Sequence, residues 1–174
     1  YKVRVPQIGP RRDRAGRAVV SAKRRPEPES AIALVPVNIP SHPGPSSPGA
    51  SARMSVARRR DTAPELELRR LLHAQGLRYR GAYPVPGQLR RTIDIAFTRA
   101  KLAVFVDGCF WHGCPDHGTQ PKANSEWWSS KISANRERDA DTDRGLTSQG
   151  WAVVRVWEHE QASTALDRVN AMLN

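Results

Sequence analysis

The hydrophobic and polar positions of the chain change period several times, and each change marks an element. Leu68, Leu71 and Leu72 recur at helical spacing ahead of Gly76. Thr62-x-x-Glu65 before them has capping-box spacing, with Pro64 in a tolerated first-turn position, so a helix is predicted over residues 63–75. Residues 77–79 form a short candidate strand, and residues 84–87, with two prolines and a glycine, read as a loop. Two apolar runs follow, Ile93-Asp94-Ile95-Ala96-Phe97 and Leu102-Ala103-Val104-Phe105-Val106. Turn residues 98–101 divide them, which predicts a hairpin of consecutive antiparallel strands. Ser125 is a candidate cap for a helix running through Trp128, Ile132 and Leu146 to Gly150, with a candidate break near Ser133 or Asn135. Residues 151–157 are rich in β-branched and aromatic side chains and predict a strand, and residues 163–173 a closing helix.

The order α, β, β, β, loop, α, β, α belongs to the α/β class. It predicts a mixed sheet flanked by helices, whose last strand follows a helical crossover and so runs parallel to its neighbour. The 174 residues suffice for one buried core. Residues 1–53 have a different texture: they hold nine of the 14 prolines, and Pro43-Gly44-Pro45-Ser46-Ser47-Pro48-Gly49 reads as a linker. The expectation is a disordered, basic, Pro-rich tail over residues 1–53 and a folded domain over residues 54–174, with Met54 a candidate start.

Charge adds a partner. Lys plus Arg number 28 against 17 Asp plus Glu, a net +11, which favours an anionic ligand and above all nucleic acid. Ten Lys or Arg and three Asp or Glu lie in residues 1–53, so +7 sits in the tail and +4 in the remainder. The tail reads either as a loose phosphate-binding arm or as a solvated extension. With no long apolar run, no basic amphipathic helix and no signal-peptide pattern, the expectation is a cytoplasmic protein without a membrane partner.

Residues 106–117 read Val-Asp-Gly-Cys-Phe-Trp-His-Gly-Cys-Pro-Asp-His and hold both cysteines and two of the five histidines. Cys109, Cys114 and His117, completed by His159 beyond the last predicted strand, make a tetrahedral zinc set of two thiolates and two imidazoles. The plainer reading is two buried free cysteines and unrelated surface histidines. Asp94, Asp107 and Glu65 are hard oxygen donors suited to Mg²⁺; against this, Asp94 can face solvent and Glu65 can serve only the capping box. His112 is left over within the metal loop. Asp139, in Asn135-Arg136-Glu137-Arg138-Asp139, is a candidate to fix its tautomer for proton transfer. Alternatively Asp139 joins Asp141, Asp143 and their arginines on a solvated face. Phe110 and Trp111 are candidate base-step wedges assisted by Trp127 and Trp128, although Trp128, Trp151 and Trp157 also read as core.

Together, Asp61-Thr62-Ala63-Pro64-Glu65, Ile93-Asp94, the Phe105-Val106-Asp107-Gly108-Cys109-Phe110-Trp111-His112 run, Glu126-Trp127-Trp128, residues 135–139, Gly150-Trp151 and Val156-Trp157-Glu158 resemble the very short patch repair (Vsr) endonucleases, over residues 54 to about 160. The resemblance implies a fold similar to type II restriction endonucleases and the nicking of one strand of double-stranded DNA at T:G mismatches left by 5-methylcytosine deamination. It implies catalytic Mg²⁺ at Asp94 and a backbone carbonyl near Val106, with Asp107 a further candidate ligand. It implies His112 as general base oriented by Asp139, Glu65 supporting the metal-water network, structural Zn²⁺, and DNA contact by Phe110, Trp111 and Trp128. Mismatch-repair proteins, a functional link to a DNA cytosine methyltransferase, and a nucleoid location are implied partners and setting. Asp107 stands where some relatives have histidine, His159 where others use cysteine, and Asp116 competes with His117 as a zinc ligand. A nuclease for matched DNA and a non-catalytic zinc-containing DNA-binding module are the rival readings.

Overall fold

The structure, a computed structural model, describes residues 39–45, 47–49, 52 and 60–174. Helix α1 spans Ala63–Ala74, and the Glu65 carboxylate accepts the Thr62 N–H at 3.4 Å, as the capping-box spacing predicts. It stops at Gly76, whose φ of 76° a glycine adopts without strain. Strands β1 (Arg80–Val85), β2 (Gln88–Phe97), β3 (Leu102–Asp107) and β4 (Ala152–Trp157) form one sheet in the order β1-β2-β3-β4. The first two pairings are antiparallel and β3 pairs with β4 in parallel, the mixed topology that the element order predicts. Helix α2 is the single turn Cys109–His112, α3 is Ser125–Ser148 and α4 is Ala162–Leu173.

Three local expectations need correction. The first strand is not at residues 77–79 but at Arg80–Val85, and it takes in Pro84 from the expected loop. It pairs only with β2, so an exposed edge proline that lacks an N–H leaves no ladder partner unsatisfied. Helix α3 has Asn124 rather than Ser125 at its N-cap position, without a side-chain capping hydrogen bond, and runs unbroken through Ser133 and Asn135. The Asn135 amide donates to the Trp111 carbonyl at 2.8 Å, so its hydrogen-bonding capacity is spent on α2 and not on its own helix. Finally, residues 39–45 of the expected disordered tail lie against α3. Trp127 Nε1 donates to the Pro40 carbonyl at 2.9 Å, Asn124 donates to the Gly44 carbonyl at 3.4 Å, and His42 meets the Trp127 ring edge-on at 4.6 Å. A Pro-rich segment has few N–H donors, yet its carbonyls remain acceptors for side chains such as these. Residues 1–38 and Met54 lie outside the described residues.

Apolar clusters cover both faces of the sheet. Leu68 and Leu72 of α1 and Leu166 and Val169 of α4 pack on Ile95, Phe97, Val104 and Val156, while Leu146 of α3 and Trp151 pack on Val85, Ile93, Ala103 and Phe105. Leu72 is fully buried, so Leu72→Ala is expected to cost about 2–5 kcal/mol, read as a lowered denaturant midpoint with an unchanged slope. Among the described residues no helix is long and apolar enough to cross a membrane.

The sheet has one irregularity that matters for chemistry. Ile93 and Ile95 are two apart and would share a face in a regular strand, yet they pack in different clusters. The β2–β3 register pairs Phe97 with Leu102, Ala96 with Ala103 and Ile95 with Val104, and goes no further. The two strands part at Asp94.

Candidate active site and metal centre

Where β2 and β3 separate, the backbone N–H of Val106 loses its ladder partner, and Asp94 Oδ2 accepts it at 2.9 Å instead. The carboxylate therefore lies at the mouth of a cavity of about 290 Å³ lined also by Arg91, Asp107, His112, Asp139 and Arg155. Burial is the main cause that raises the Asp94 pKa to about 6; the Val106 N–H opposes it, and the nearby charges of Glu65 and Asp107 add to it. Its Oδ1 has no hydrogen-bond partner among the described residues. A half-buried carboxylate with one open oxygen and a raised pKa fits a hard divalent cation, which would hold it ionised. Glu65 is buried behind this point, paired with Arg69 at 2.5 Å, and Arg69 donates to the Asp94 carbonyl at 3.0 Å. Glu65 thus reaches the site through Arg69 and does not line the cavity.

Helix α2 follows β3 after only Gly108, which turns His112 back over the cavity. His112 Nδ1 lies 2.5 Å from Asp139 Oδ2 on α3, the pair that spacing alone left open. Burial would lower the imidazole pKa, but the Asp139 hydrogen bond and the charges of Asp107 and Asp139 outweigh it and hold His112 above its ordinary value. For Asp139 burial would raise the pKa; the same hydrogen bond and the charges of His112, Arg155 and Arg138 outweigh that and hold it low. An ionised carboxylate only accepts, so Nδ1 carries the proton and Nε2 is left as the basic nitrogen. Nε2 has no hydrogen-bond partner among the described residues. Asp139 is accordingly turned inward, with its side chain 18% exposed, and does not join a solvated face.

Asp107 differs from its expected role. Arg155 Nη1 donates to both of its oxygens, at 2.9 and 2.8 Å, so the carboxylate is paired with a guanidinium, a partner that its expected role did not include. Sequence reasoning missed Arg155 altogether. Its signal was available: a charged residue between Val154 and Val156 in a strand asks for the same explanation as Asp94 between Ile93 and Ile95.

The four expected zinc ligands come together. The ligand atoms of Cys109, Cys114, His117 and His159 all lie within 4.8 Å of one another, and the two cysteines are buried and unbridged. Cys109 Sγ is 3.1 Å and Cys114 Sγ 3.7 Å from His159 Nδ1. Zinc bonded to nitrogen at about 2.0–2.1 Å and to sulfur at about 2.3 Å in a tetrahedron spaces its ligand atoms by roughly 3.3–3.8 Å, so the donor set fits if its widest pairs draw in by about 1 Å. The parallel pairing of Asp107 with Trp157 brings the starts of the two ligand-bearing segments side by side. The Glu158 carboxylate accepts the Cys109 N–H at 2.6 Å. Gly118 N–H closes the turn onto the Cys114 carbonyl at 2.9 Å, where an added Cβ would stand 2.4 Å from that oxygen. His117 lies in this turn; Asp116 is exposed and outside the cluster. Without metal, burial chiefly, then Cys114 and Glu158, push the Cys109 thiol up to about 11.

Phe110, Trp111 and Trp128 are half-buried and meet edge-on, at 5.2 Å for Phe110–Trp111 and 5.0 Å for Phe110–Trp128. Trp128 belongs to this cluster and not to the core. Trp151 is buried as expected, whereas Trp157 is only half-buried.

A carboxylate at a split in the sheet and a His–Asp pair share one arginine-lined cavity, and comparison with known proteins gives the class: DNA endonuclease. The family model for DNA mismatch endonuclease Vsr matches residues 48–117, beginning a few residues before the expected boundary at 54. The chain is 45% identical over 130 residues to the type II nicking enzyme V.NaeI of Lentzea aerocolonigenes, covering 74% of this chain and 78% of that one. It is 42% identical over 112 residues to the type II nicking enzyme V.XorIIP of Xanthomonas oryzae pv. oryzae, covering 62% and 77%. With the DNA mismatch endonuclease Vsr of Escherichia coli it shares 36% identity over 110 residues, covering 62% and 68%. The chain belongs to the DNA mismatch endonuclease Vsr family.

Proposed function

We propose that this protein nicks one strand of duplex DNA at T:G mismatches of the kind that 5-methylcytosine deamination leaves, on a restriction-endonuclease-like fold. The observation that carries the reading is the 2.5 Å His112–Asp139 pair facing Asp94 in one cavity. Relatives named nicking enzymes and a mismatch endonuclease support it. Asp94 and the Val106 carbonyl are the ligands for Mg²⁺, which when bound supplies positive charge to the reacting phosphate and the leaving oxygen. His112 Nε2 takes a proton from water as its oxygen attacks phosphorus in line, while Asp139 holds the imidazole and stabilises its charge. The new P–O bond forms, the P–O3′ bond breaks, and the 3′-oxygen gains a proton, leaving a 5′-phosphate. Glu65 acts from behind, holding Arg69 against the Asp94 carbonyl. Phe110, Trp111 and Trp128 enter the stack near the mismatch. Cys109, Cys114, His117 and His159 hold structural Zn²⁺ and so fix α2, which carries His112 and the wedge. The cellular setting is nucleoid DNA, in functional linkage with a cytosine methyltransferase and mismatch-repair proteins.

The test is a panel of labelled duplexes, matched or carrying each mismatch, with and without Mg²⁺. Nicking of one strand of the T:G duplex only with Mg²⁺ is expected. Equal cutting of matched DNA would make this a restriction-like nuclease, and salt-sensitive binding without any cutting would make it a binding module.

Acidity offers a second measurement. A general base must be neutral, and His112 is held above its ordinary pKa, so nicking is lost as pH falls through that raised value and is full above it. With Mg²⁺ saturating, the acid limb of kcat is expected above the usual imidazole range. Asp139→Asn should move it to lower pH and reduce the plateau by about 100-fold. An unmoved limb would exclude the pairing as the source of the shift.

A further inference from the structure

Arg155 lies at the meeting point of three carboxylates from two elements. Nη1 takes both oxygens of Asp107 at the end of β3. Nε and Nη2 take Asp143 on α3 at 2.9–3.3 Å, and Nη2 also reaches the Asp139 carbonyl at 3.3 Å and Asp139 Oδ1 at 3.8 Å. Its plane is braced by the Phe105 ring, 4.6 Å from the guanidinium carbon. Asp139 and Asp143 are four apart on α3 and share a face, so one planar cation holds that face against β3.

His112 stands beside this hub. Its Nδ1 has two carboxylates in range, Asp139 at 2.5 Å and Asp107 at 3.6 Å, but one N–H to give. Asp107 is 5% exposed and burial already raises its pKa against the pull of Arg155, so without that cation it would be a buried carboxyl, charged or protonated, with both oxygens unpaired beside the His112 imidazole. The ring would then be drawn from Asp139 towards Asp107, turning Nε2 away from its place over the cavity.

Resting on the nicking activity proposed above, we infer that Arg155 is a positioning residue for that reaction: by occupying Asp107 and bracing Asp139, it reserves the Nδ1 of His112 for Asp139 alone. Arg155 touches no reacting atom in this role. It acts by deciding between two carboxylates for one imidazole, and the planar fork is needed because Asp107 and Asp143 approach it from different sides.

The test uses the full chain on a T:G duplex with Mg²⁺. Arg155→Met should lower kcat by about 100-fold while KM for the duplex stays within about two-fold, because a misplaced base costs rate and not binding. Adding Asp107→Asn should recover about ten-fold or more of that loss, since the competing carboxyl is gone. Arg155→Lys, a point charge without the fork, should fall between. The second readout needs no activity: the imidazole ¹⁵N–¹H spectrum should show the His112 Nδ1–H signal of the parent displaced in Arg155→Met and restored in the double variant. If Arg155→Met does not fold, Arg155→Lys and the double variant carry both measurements. Parental kcat in Arg155→Met, a rise in KM in place of the fall in kcat, no recovery in a folded double variant, or an unmoved Nδ1–H signal would each overturn the assignment. Should the parent nick no duplex at all, the nicking reading fails, and the spectrum still decides whether Arg155 selects the partner of His112.

Discussion

Asparagine in place of Asp94 is expected to lower nicking by about a thousand-fold or more while the protein still folds and binds T:G duplex. The split in the sheet is what the substitution preserves. Asn Oδ1 can accept the Val106 N–H as Asp94 Oδ2 does now, so the parted strands keep their substitute hydrogen bond. What asparagine lacks is the charge. The sign of the stability effect follows from the raised pKa: an aspartate held at about 6 in the fold, against an ordinary 3.8, loses stability as pH rises from the lower value to the higher. Removing that penalty should leave the melting temperature at neutral pH unchanged or higher. Single-turnover cleavage, gel shift and thermal melting of one preparation give all three numbers. A folded Asp94→Asn protein that nicks at the parental rate would remove Asp94 from the metal and with it the proposed reaction.

Much of this site was legible in the residues because its parts announce themselves by type. A dozen residues holding both cysteines and two histidines cannot be explained by packing, and the four ligands do converge. The hairpin, the crossover and the closing helix followed from period and length, which report the burial of one face. The first strand did not: Arg80-Gly81-Ala82-Tyr83-Pro84-Val85 has little apolar alternation, because an edge strand is held by the backbone of β2 and buries only Val85 completely. Residues 39–45 failed for a related reason, since their contacts are made by donors at the start of α3, 80 and 87 positions away. Pairwise choices were likewise invisible. Asp107 and Asp139 are both carboxylates near His112, and only Arg155, reached through the parallel β3–β4 pairing, tells them apart.

Withdrawal of zinc is expected to have the other large effect, and its cause is local. Helix α2 is one turn long, too short to hold itself, and apart from the Glu158–Cys109 hydrogen bond its tie to the turn after β4 would run through Cys109, Cys114, His117 and His159. The two apolar clusters of the sheet do not include the cysteines or histidines of this group. Loss of the ion should therefore free α2 and the segment up to α3 before the sheet opens, taking His112, Phe110 and Trp111 out of register together. Elemental analysis of the purified protein should give about one zinc per chain. Stability should fall by on the order of 5 kcal/mol or more when a zinc-selective chelator removes it, with nicking lost and not recovered by Mg²⁺ alone. Cys109→Ala should behave as the chelated protein does, and zinc with Mg²⁺ should restore the chelated parent but not the variant. A metal-free preparation that is folded and nicks at full rate would show that packing alone holds α2, and the cysteines would then be buried thiols and nothing more.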